Sequence, residues 1–185
     1  MYRQMIRATV VALSLAGAAG LHAAEKTVMV GGAAMYPSKN IIQNAVNSKD
    51  HTTLVAAVKA AGLVETLEGA GPFTVFAPTN KAFDKLPPGT VDTLLKPESK
   101  PALTKVLTYH VVPGRLDAAA LRQQISAGGG KAMLKTASGG TLIAMASGNG
   151  IAISDEGGGS ANVTIADVLQ SNGVIHVVDK VLLPK

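Results

Sequence analysis

The chain has 185 residues, of which 47% are hydrophobic, 16% are charged and none is cysteine. The lack of cysteine excludes disulfide bonds and thiolate metal sites, so packing alone must stabilise the fold. The net charge is +5, but the sequence contains no block of basic residues and no alternation of aromatic and basic residues. Nucleic-acid binding is therefore not predicted.

An export signal is predicted over residues 1–24. Arg3 and Arg7 precede an apolar run over residues 8–21, which is too short to span a bilayer comfortably. Cleavage would leave 161 residues with a net charge of +3, which suits one domain of ordinary size. We expect the mature protein to be exported, to a periplasm or outside the cell, and to contain no membrane-spanning segment.

The first segments after the signal are predicted to be short. Residues 25–37 should form an extended lead-in, because two glycines and a proline interrupt regular structure. A helix is predicted over residues 40–47. A clearer helix follows over residues 52–61, where Thr52 or Thr53 can cap the first turn and a glycine ends the last.

Residues 71–87 change from a strand pattern to a helix pattern within a few positions. Alternating apolar residues lead into a proline, and a helix with an apolar face follows. Phe73, Phe76 and Phe83 lie in this segment of a chain that has only 3% aromatic residues. We therefore expect these three rings to mark the centre of the hydrophobic core.

The remaining predicted elements change in kind along the chain. Helices are predicted over residues 90–95, 101–107 and 118–125, and strands over residues 108–112, 131–136, 141–146, 151–154, 163–166 and 174–178. Helices thus dominate the first half and strands the second half. This separation predicts an α+β fold with a mostly antiparallel sheet.

A Tyr-His pair lies within the predicted strand of residues 108–112. Strand alternation would place Tyr109 and His110 on opposite faces. We expect His110 to be buried and neutral rather than catalytic, because no acid or nucleophile partner is identifiable. Thr79 and Asn80, which form a structural polar turn, are the predicted hydrogen-bond partners of its ring nitrogens.

No motif of a known catalytic or zinc site is present. His176 is interpreted as a second buried, neutral histidine.

Met29, Met35 and His51 form a candidate Cu(I) set, because thioether and imidazole ligands suit that soft ion. The alternative is that the two methionines fill gaps in the core or lie on a mobile lead-in.

Three segments, in order along the chain, resemble motifs of fasciclin-type domains. They are GPFTVFAPTNKAF at residues 71–83, LTYHVVPGRL at residues 107–116 and SNGVIHVVDKVLLP at residues 171–184. The resemblance covers a single domain over residues 38–184. It implies a compact α+β fold in which a β-sandwich or wedge of short strands packs against a cluster of short helices.

The same resemblance implies a non-catalytic, cofactor-free module for adhesion at cell surfaces or in extracellular matrix. Its partner would be a surface or matrix protein or a polysaccharide. In animal relatives the Tyr-His and Asp-Ile pairs are linked to integrin binding. Tyr109 and His110 match the first pair, whereas Asp167 and Val168 match the second only approximately. The export signal and the lack of cysteine suit a bacterial member, for which integrin is an improbable natural partner.

Two other functions remain open at this level. The high apolar content is compatible with a carrier of an apolar small molecule, held between the helices and the sheet. The candidate copper set would instead make the protein a periplasmic copper-binding protein. The identity of the partner and the oligomeric state do not follow from the sequence.

Overall fold

The computed structural model describes residues 26–185, so the predicted export signal lies outside the described residues. Among the helices of this described part, none has the length and apolar character needed to cross a membrane. The described chain contains short helices in its first two thirds and a larger sheet made mainly from its last third.

The helices are short, between five and ten residues each. They are α1 (Ile41–Ala45), α2 (Thr52–Ala61), α3 (Val64–Glu68), α4 (Asn80–Asp84), α5 (Thr90–Leu94), α6 (Lys100–Tyr109) and α7 (Ala118–Ala127), with 3-10 turns at Lys49–His51 and Pro97–Ser99. Side-chain caps explain several of their starts. Asn40 and Gln43 form a capping box at α1, and the Asp117 carboxylate accepts the Ala120 amide at the start of α7.

Two sheets are present in the described chain. Their strands are β1 (Val28–Val30), β2 (Ala33–Met35), β3 (Phe73–Pro78), β4 (Val111–Pro113), β5 (Lys131–Lys135), β6 (Thr141–Ser147), β7 (Gly150–Ser154), β8 (Ser160–Gln170) and β9 (Gly173–Val178). The first two form a separate hairpin, and the other seven follow the order β4-β3-β9-β8-β7-β6-β5. The Ala137 amide, just after β5, donates to the Val111 carbonyl of β4, so the two ends of the large sheet nearly meet.

The strands β3 and β9 are the second and third in this order and form the parallel pair of an otherwise antiparallel sheet. Because side chains alternate along a strand, this pair has a hydrophobic cluster on each face. Val75 and Ala77 of β3 pack in the cluster beneath the helices, whereas Phe76 packs in the cluster inside the curved sheet. The observed architecture confirms the predicted α+β class and wedge-like sheet.

The prediction of a strand over residues 108–112 is wrong for its first half. Helix α6 continues to Tyr109, His110 is its C-terminal cap, and β4 begins only at Val111. The physical reason is tertiary. The His110 ring reaches back one turn to the Val106 carbonyl, and the Tyr109 ring is fully buried in the sheet cluster. These contacts override the strand preference of branched and aromatic residues.

Three further features differ from the sequence-based expectation. The lead-in contains the hairpin β1–β2, because Gly31 and Gly32 adopt φ values of 57° and 77° and supply the tight turn such a hairpin requires. Helix α2 has the predicted bounds, but neither Thr52 nor Thr53 caps it. Helix α3 has no counterpart among the predicted elements, since five residues carry too little periodicity to detect.

Candidate binding site

Tyr109 lies inside the protein and joins three segments. Its side chain is completely buried. The hydroxyl donates to the Thr141 carbonyl at 2.8 Å and accepts the Glu156 amide at 3.0 Å. Burial is the main cause that raises the pKa of Tyr109 above its ordinary value. With both hydrogen bonds made internally, Tyr109 has a structural role in the arrangement observed here.

His110 is also buried, and both ring nitrogens have backbone partners. Nδ1 donates to the Val106 carbonyl at 2.8 Å, and Nε2 accepts the Leu182 amide at 3.0 Å. These two bonds specify the neutral ring. Burial lowers the pKa of His110 to about 4. The predicted burial of His110 is confirmed and its hydrogen bonds fit the predicted neutral ring, but Thr79 and Asn80 are not its partners.

The turn formed by Thr79 and Asn80 instead connects two helices. The Thr79 hydroxyl accepts the Ala82 amide at 3.2 Å and caps α4. The Asn80 side chain reaches the other way, accepting the Thr53 amide at 3.0 Å and donating to the Lys49 carbonyl at 2.9 Å. It therefore caps α2 from a distant part of the chain, which explains why α2 needs no cap of its own.

Asp167 is the exposed member of the Asp-Val pair, while Val168 is buried. Irregular pairing in β8 gives Asp167 a φ of 58°, and among the described residues other than glycine it alone has a positive φ. Its carboxylate accepts the Ala118 amide at 2.6 Å. Together with Asp117 it places two carboxylates at the N-terminus of α7, where the helix dipole favours negative charge.

A buried pair of rings connects the Tyr-His segment with the Asp-Val segment. His176 stacks on Phe76 with their ring centroids 5.7 Å apart, and the Phe76 amide donates to the His110 carbonyl. Nε2 of His176 donates to the Leu116 carbonyl at 2.7 Å, while Nδ1 accepts the Asp167 amide at 3.4 Å. Burial lowers the pKa of His176. The contact between His176 and Asp167 could not be found from the sequence, because nine residues and a strand reversal separate them.

The candidate copper ligands do not form one site. Met29 is 59% exposed, whereas Met35 and His51 are buried. Val28, the neighbour of Met29, pairs with Met35 across the hairpin, so the two methionine side chains lie on opposite faces. In residues 26–185, no group of three or more His, Cys, Asp or Glu side chains is placed to hold a metal ion. In this structure the side chains of Met29, Met35 and His51 therefore do not converge on one position.

His51 nevertheless has an unusual environment. Its Nδ1 is 2.8 Å from the Ser48 hydroxyl, while Nε2 is buried without a hydrogen-bond partner of normal geometry among the described residues. Burial lowers the pKa of His51, and the nearby Ala77 backbone and the Asp50 carboxylate offset this only in part. A buried polar atom without a partner is rare and calls for a physical explanation.

Comparison with known proteins agrees with the geometry. The family model described as Fasciclin domain matches residues 49–184. Protein sll1483 of Synechocystis is 44% identical over 167 residues, covering 90% of this chain and 85% of that protein. Immunogenic protein MPB70 of Mycobacterium bovis is 36% identical over 145 residues, covering 76% of this chain and 66% of that protein.

Animal proteins are similar over a smaller share of their length. Transforming growth factor-beta-induced protein ig-h3 of Sus scrofa is 37% identical over 147 residues, which are 78% of this chain but 20% of that protein. A solved FAS1 domain pair from the insect cell adhesion molecule Fasciclin I has a TM-score of 0.70 and 19% identity, covering 78% of this chain and 51% of that one. That structural match shows the same fold. The chain belongs to the fasciclin domain family.

Proposed function

We propose that the protein is an exported, non-catalytic binding module that mediates adhesion to a cell-surface or matrix protein or polysaccharide. The observation that carries this proposal is the surface around Asp167. Its exposed carboxylate stands on a left-handed backbone that internal hydrogen bonds hold in place. Strained backbone of this kind clusters at functional sites, because the surrounding structure must maintain it.

The proposed contact surface, called the β8 face, consists of Asp167, Leu169 and Arg115. Leu169 follows Asp167 by two residues in β8 and is exposed like it, to 38%. The exposed Arg115 guanidinium donates to the Gln170 carbonyl at 3.1 Å, which fixes it at the same end of the strand. An apolar side chain flanked by one negative and one positive group is suited to recognising a protein or a polysaccharide.

The remaining motif residues support this surface from inside. Tyr109, His110 and Val168 are buried, so a partner would not contact them without rearrangement. The ring nitrogens of His110 and His176 are all engaged in backbone hydrogen bonds, which leaves neither ring free for proton transfer. Both facts favour a binding role over catalysis.

Attachment of coated beads tests the proposal. Beads that carry the wild-type protein should attach to cells of the producing organism, or to immobilised polysaccharide or matrix protein, more than uncoated beads. The Leu169→Asp variant should lose most of this gain, because it places a second carboxylate beside Asp167 and removes the apolar contact.

Met133→Asp is the matched control, since Met133 is 76% exposed on the separate strand β5. It should attach like the wild type. Thermal unfolding of both variants must first show intact folding. No gain in attachment on any surface would contradict adhesion, and equal loss in the two variants would contradict the β8 face.

A further inference from the structure

A cavity of about 90 Å³ lies beneath the helices, against one face of β3. All but five of the residues that line it are hydrophobic. The five polar ones are Ser48, His51, Thr66, Thr108 and His110. The chemistry of the cavity therefore depends on whether any of these side chains has a hydrogen-bonding atom to offer.

Most of these polar groups are already engaged. The Thr108 hydroxyl donates to the Thr104 carbonyl at 2.7 Å, and His110 uses both ring nitrogens. Thr66 is exposed to solvent. Ser48 is paired with Nδ1 of His51, so Nε2 of His51 is the remaining buried polar atom of this lining without a hydrogen bond of normal geometry, although the Ala77 backbone lies near the ring.

Because the lining offers only one available polar atom, water is disfavoured as the occupant of the cavity. The cavity is larger than the roughly 30 Å³ that one water takes up in the liquid, but a buried water needs 2–4 polar partners. A single nitrogen does not supply them. An apolar molecule with one hydroxyl group fits better, because a hydroxyl can donate or accept and so pairs with either tautomer of His51.

The N-terminal hairpin and α1 form one wall of the cavity. Val30, Met35, Ile41, Ile42 and Ala45 line it, and all five precede residue 49, where the family match begins. This wall therefore lies N-terminal to the part of the chain that matches the family model. Removing or shifting it would open the cavity toward solvent.

The hairpin turn is seated on the segment that carries His51. The Lys49 amide donates to the Gly31 carbonyl at 3.2 Å. A methyl group added at Gly31 would collide with the Ser48 hydroxyl and lie 2.7 Å from the Asp50 nitrogen. By contrast, a methyl group added at Gly32 would meet nothing within 4 Å. Close seating of the hairpin thus depends on glycine at position 31.

We propose that this cavity binds a small, uncharged, mainly apolar molecule with one hydroxyl group, and that the hairpin β1–β2 is the lid through which it enters. The ligand's apolar part lies among the aliphatic side chains and its hydroxyl pairs with Nε2 of His51. Because an engineered cavity of about 150 Å³ accommodates benzene, a ligand of phenol size requires some outward movement of the lid. The proposal is independent of adhesion through the β8 face.

Titration with phenol and with benzene tests the ligand chemistry. In protein expressed from the full coding sequence, phenol should shift the methyl NMR signals of Ile41, Leu54 and Ile175, which line the cavity. It should bind about fivefold more tightly than benzene, as one added hydrogen bond predicts. The His51→Leu variant should lose this preference but still bind benzene.

A cavity-filling variant keeps the test independent of His51. Ala45→Leu should abolish the shifts with both ligands, whereas Ala119→Leu on the exposed side of α7 should not. Absence of shifts with both ligands in the wild type would overturn the site. Equal affinities for phenol and benzene in the wild type would overturn the role of His51.

Two glycine variants test the lid. Gly31→Ala and Gly32→Ala both place alanine at a positive φ, so they share the backbone strain, but only the first collides with the segment beneath. Gly31→Ala should speed phenol exchange by about tenfold or more, and Gly32→Ala should exchange like the wild type. Equal exchange rates in the two variants would overturn the lid.

Discussion

Asp167 combines an exposed carboxylate with a backbone conformation that residues other than glycine rarely adopt. Two bonds maintain it: the carboxylate accepts the Ala118 amide, and the Asp167 amide donates to His176. Aspartate and asparagine tolerate the left-handed region better than other residues with a side chain. The residue therefore caps α7 and presents charge at the surface at the same time.

A substitution series at Asp167 separates the contribution of the cap from the cost of the strained backbone. Asp167→Ala should lower the free energy of unfolding by about 2 kcal/mol, because it removes the cap and leaves a strained backbone. Asp167→Gly should cost about 1 kcal/mol, since it removes only the cap. Asp167→Asn should be nearly neutral. Urea unfolding of the three variants measures the series, and equal losses for alanine and glycine would show that the backbone is not strained.

Short helices in this fold take their caps from other elements. Helix α2 begins without a side-chain cap of its own. The side-chain oxygen of Asn80, which lies 27 residues after Thr53, accepts the Thr53 amide and so acts as the cap. Helix α4 uses Thr79 in the ordinary local way. Adjacent residues of one turn thus stabilise two different helices, which fixes α2 against the end of β3.

The Asn80→Ala variant should be less stable than the wild type by about 2 kcal/mol, because it leaves the Thr53 amide and the Lys49 carbonyl without a partner. Asn80→Asp keeps an acceptor for Thr53 and should lose about half as much. Thr79→Ala, which removes one local cap, should cost about 1 kcal/mol. Chemical denaturation compares them. A loss for Asn80→Ala no larger than that for Thr79→Ala would contradict the bridging role.

At the scale of the whole molecule, the buried histidines make stability depend on pH. Burial lowers the pKa of His110 to about 4 and also lowers the pKa values of His51 and His176, whereas unfolding restores the ordinary value near 6.5. The unfolded chain therefore binds more protons between these values. The stability due to neutral histidine is complete above about pH 6.5 and is lost as the pH falls toward 4.

For His110 alone, the free energy of unfolding should fall by about 2 kcal/mol between pH 7 and pH 5. The His110→Gln variant should lack this pH-dependent contribution, so its free energy of unfolding should change less over the same pH interval. Urea unfolding of both proteins at the two pH values measures the difference. Identical pH dependence in variant and wild type would mean that His110 does not contribute.

The candidate site shows where prediction from the sequence stops. The burial and neutrality of His110 could be predicted from the apolar residues around it, but its partner Leu182 lies 72 residues away and could not. The prediction of a strand at Tyr109 is wrong for a related reason, because the tyrosine ring packs against segments that are distant in the chain. The hairpin and the cavity depend on the same long-range contacts.

Local sequence patterns sufficed to predict most helices and strands, the glycine that ends α2, the α+β class and the order of the three motifs. These depend on periodicity, turn residues and capping, which act over a few neighbouring positions. Only the folded chain reveals that β3 pairs with β9, that Asn80 caps α2, that Asp167 is exposed while Tyr109 is buried, and that His51 lines a cavity. The physical reason is that burial and hydrogen-bond partners are set by segments that meet only after the chain has folded.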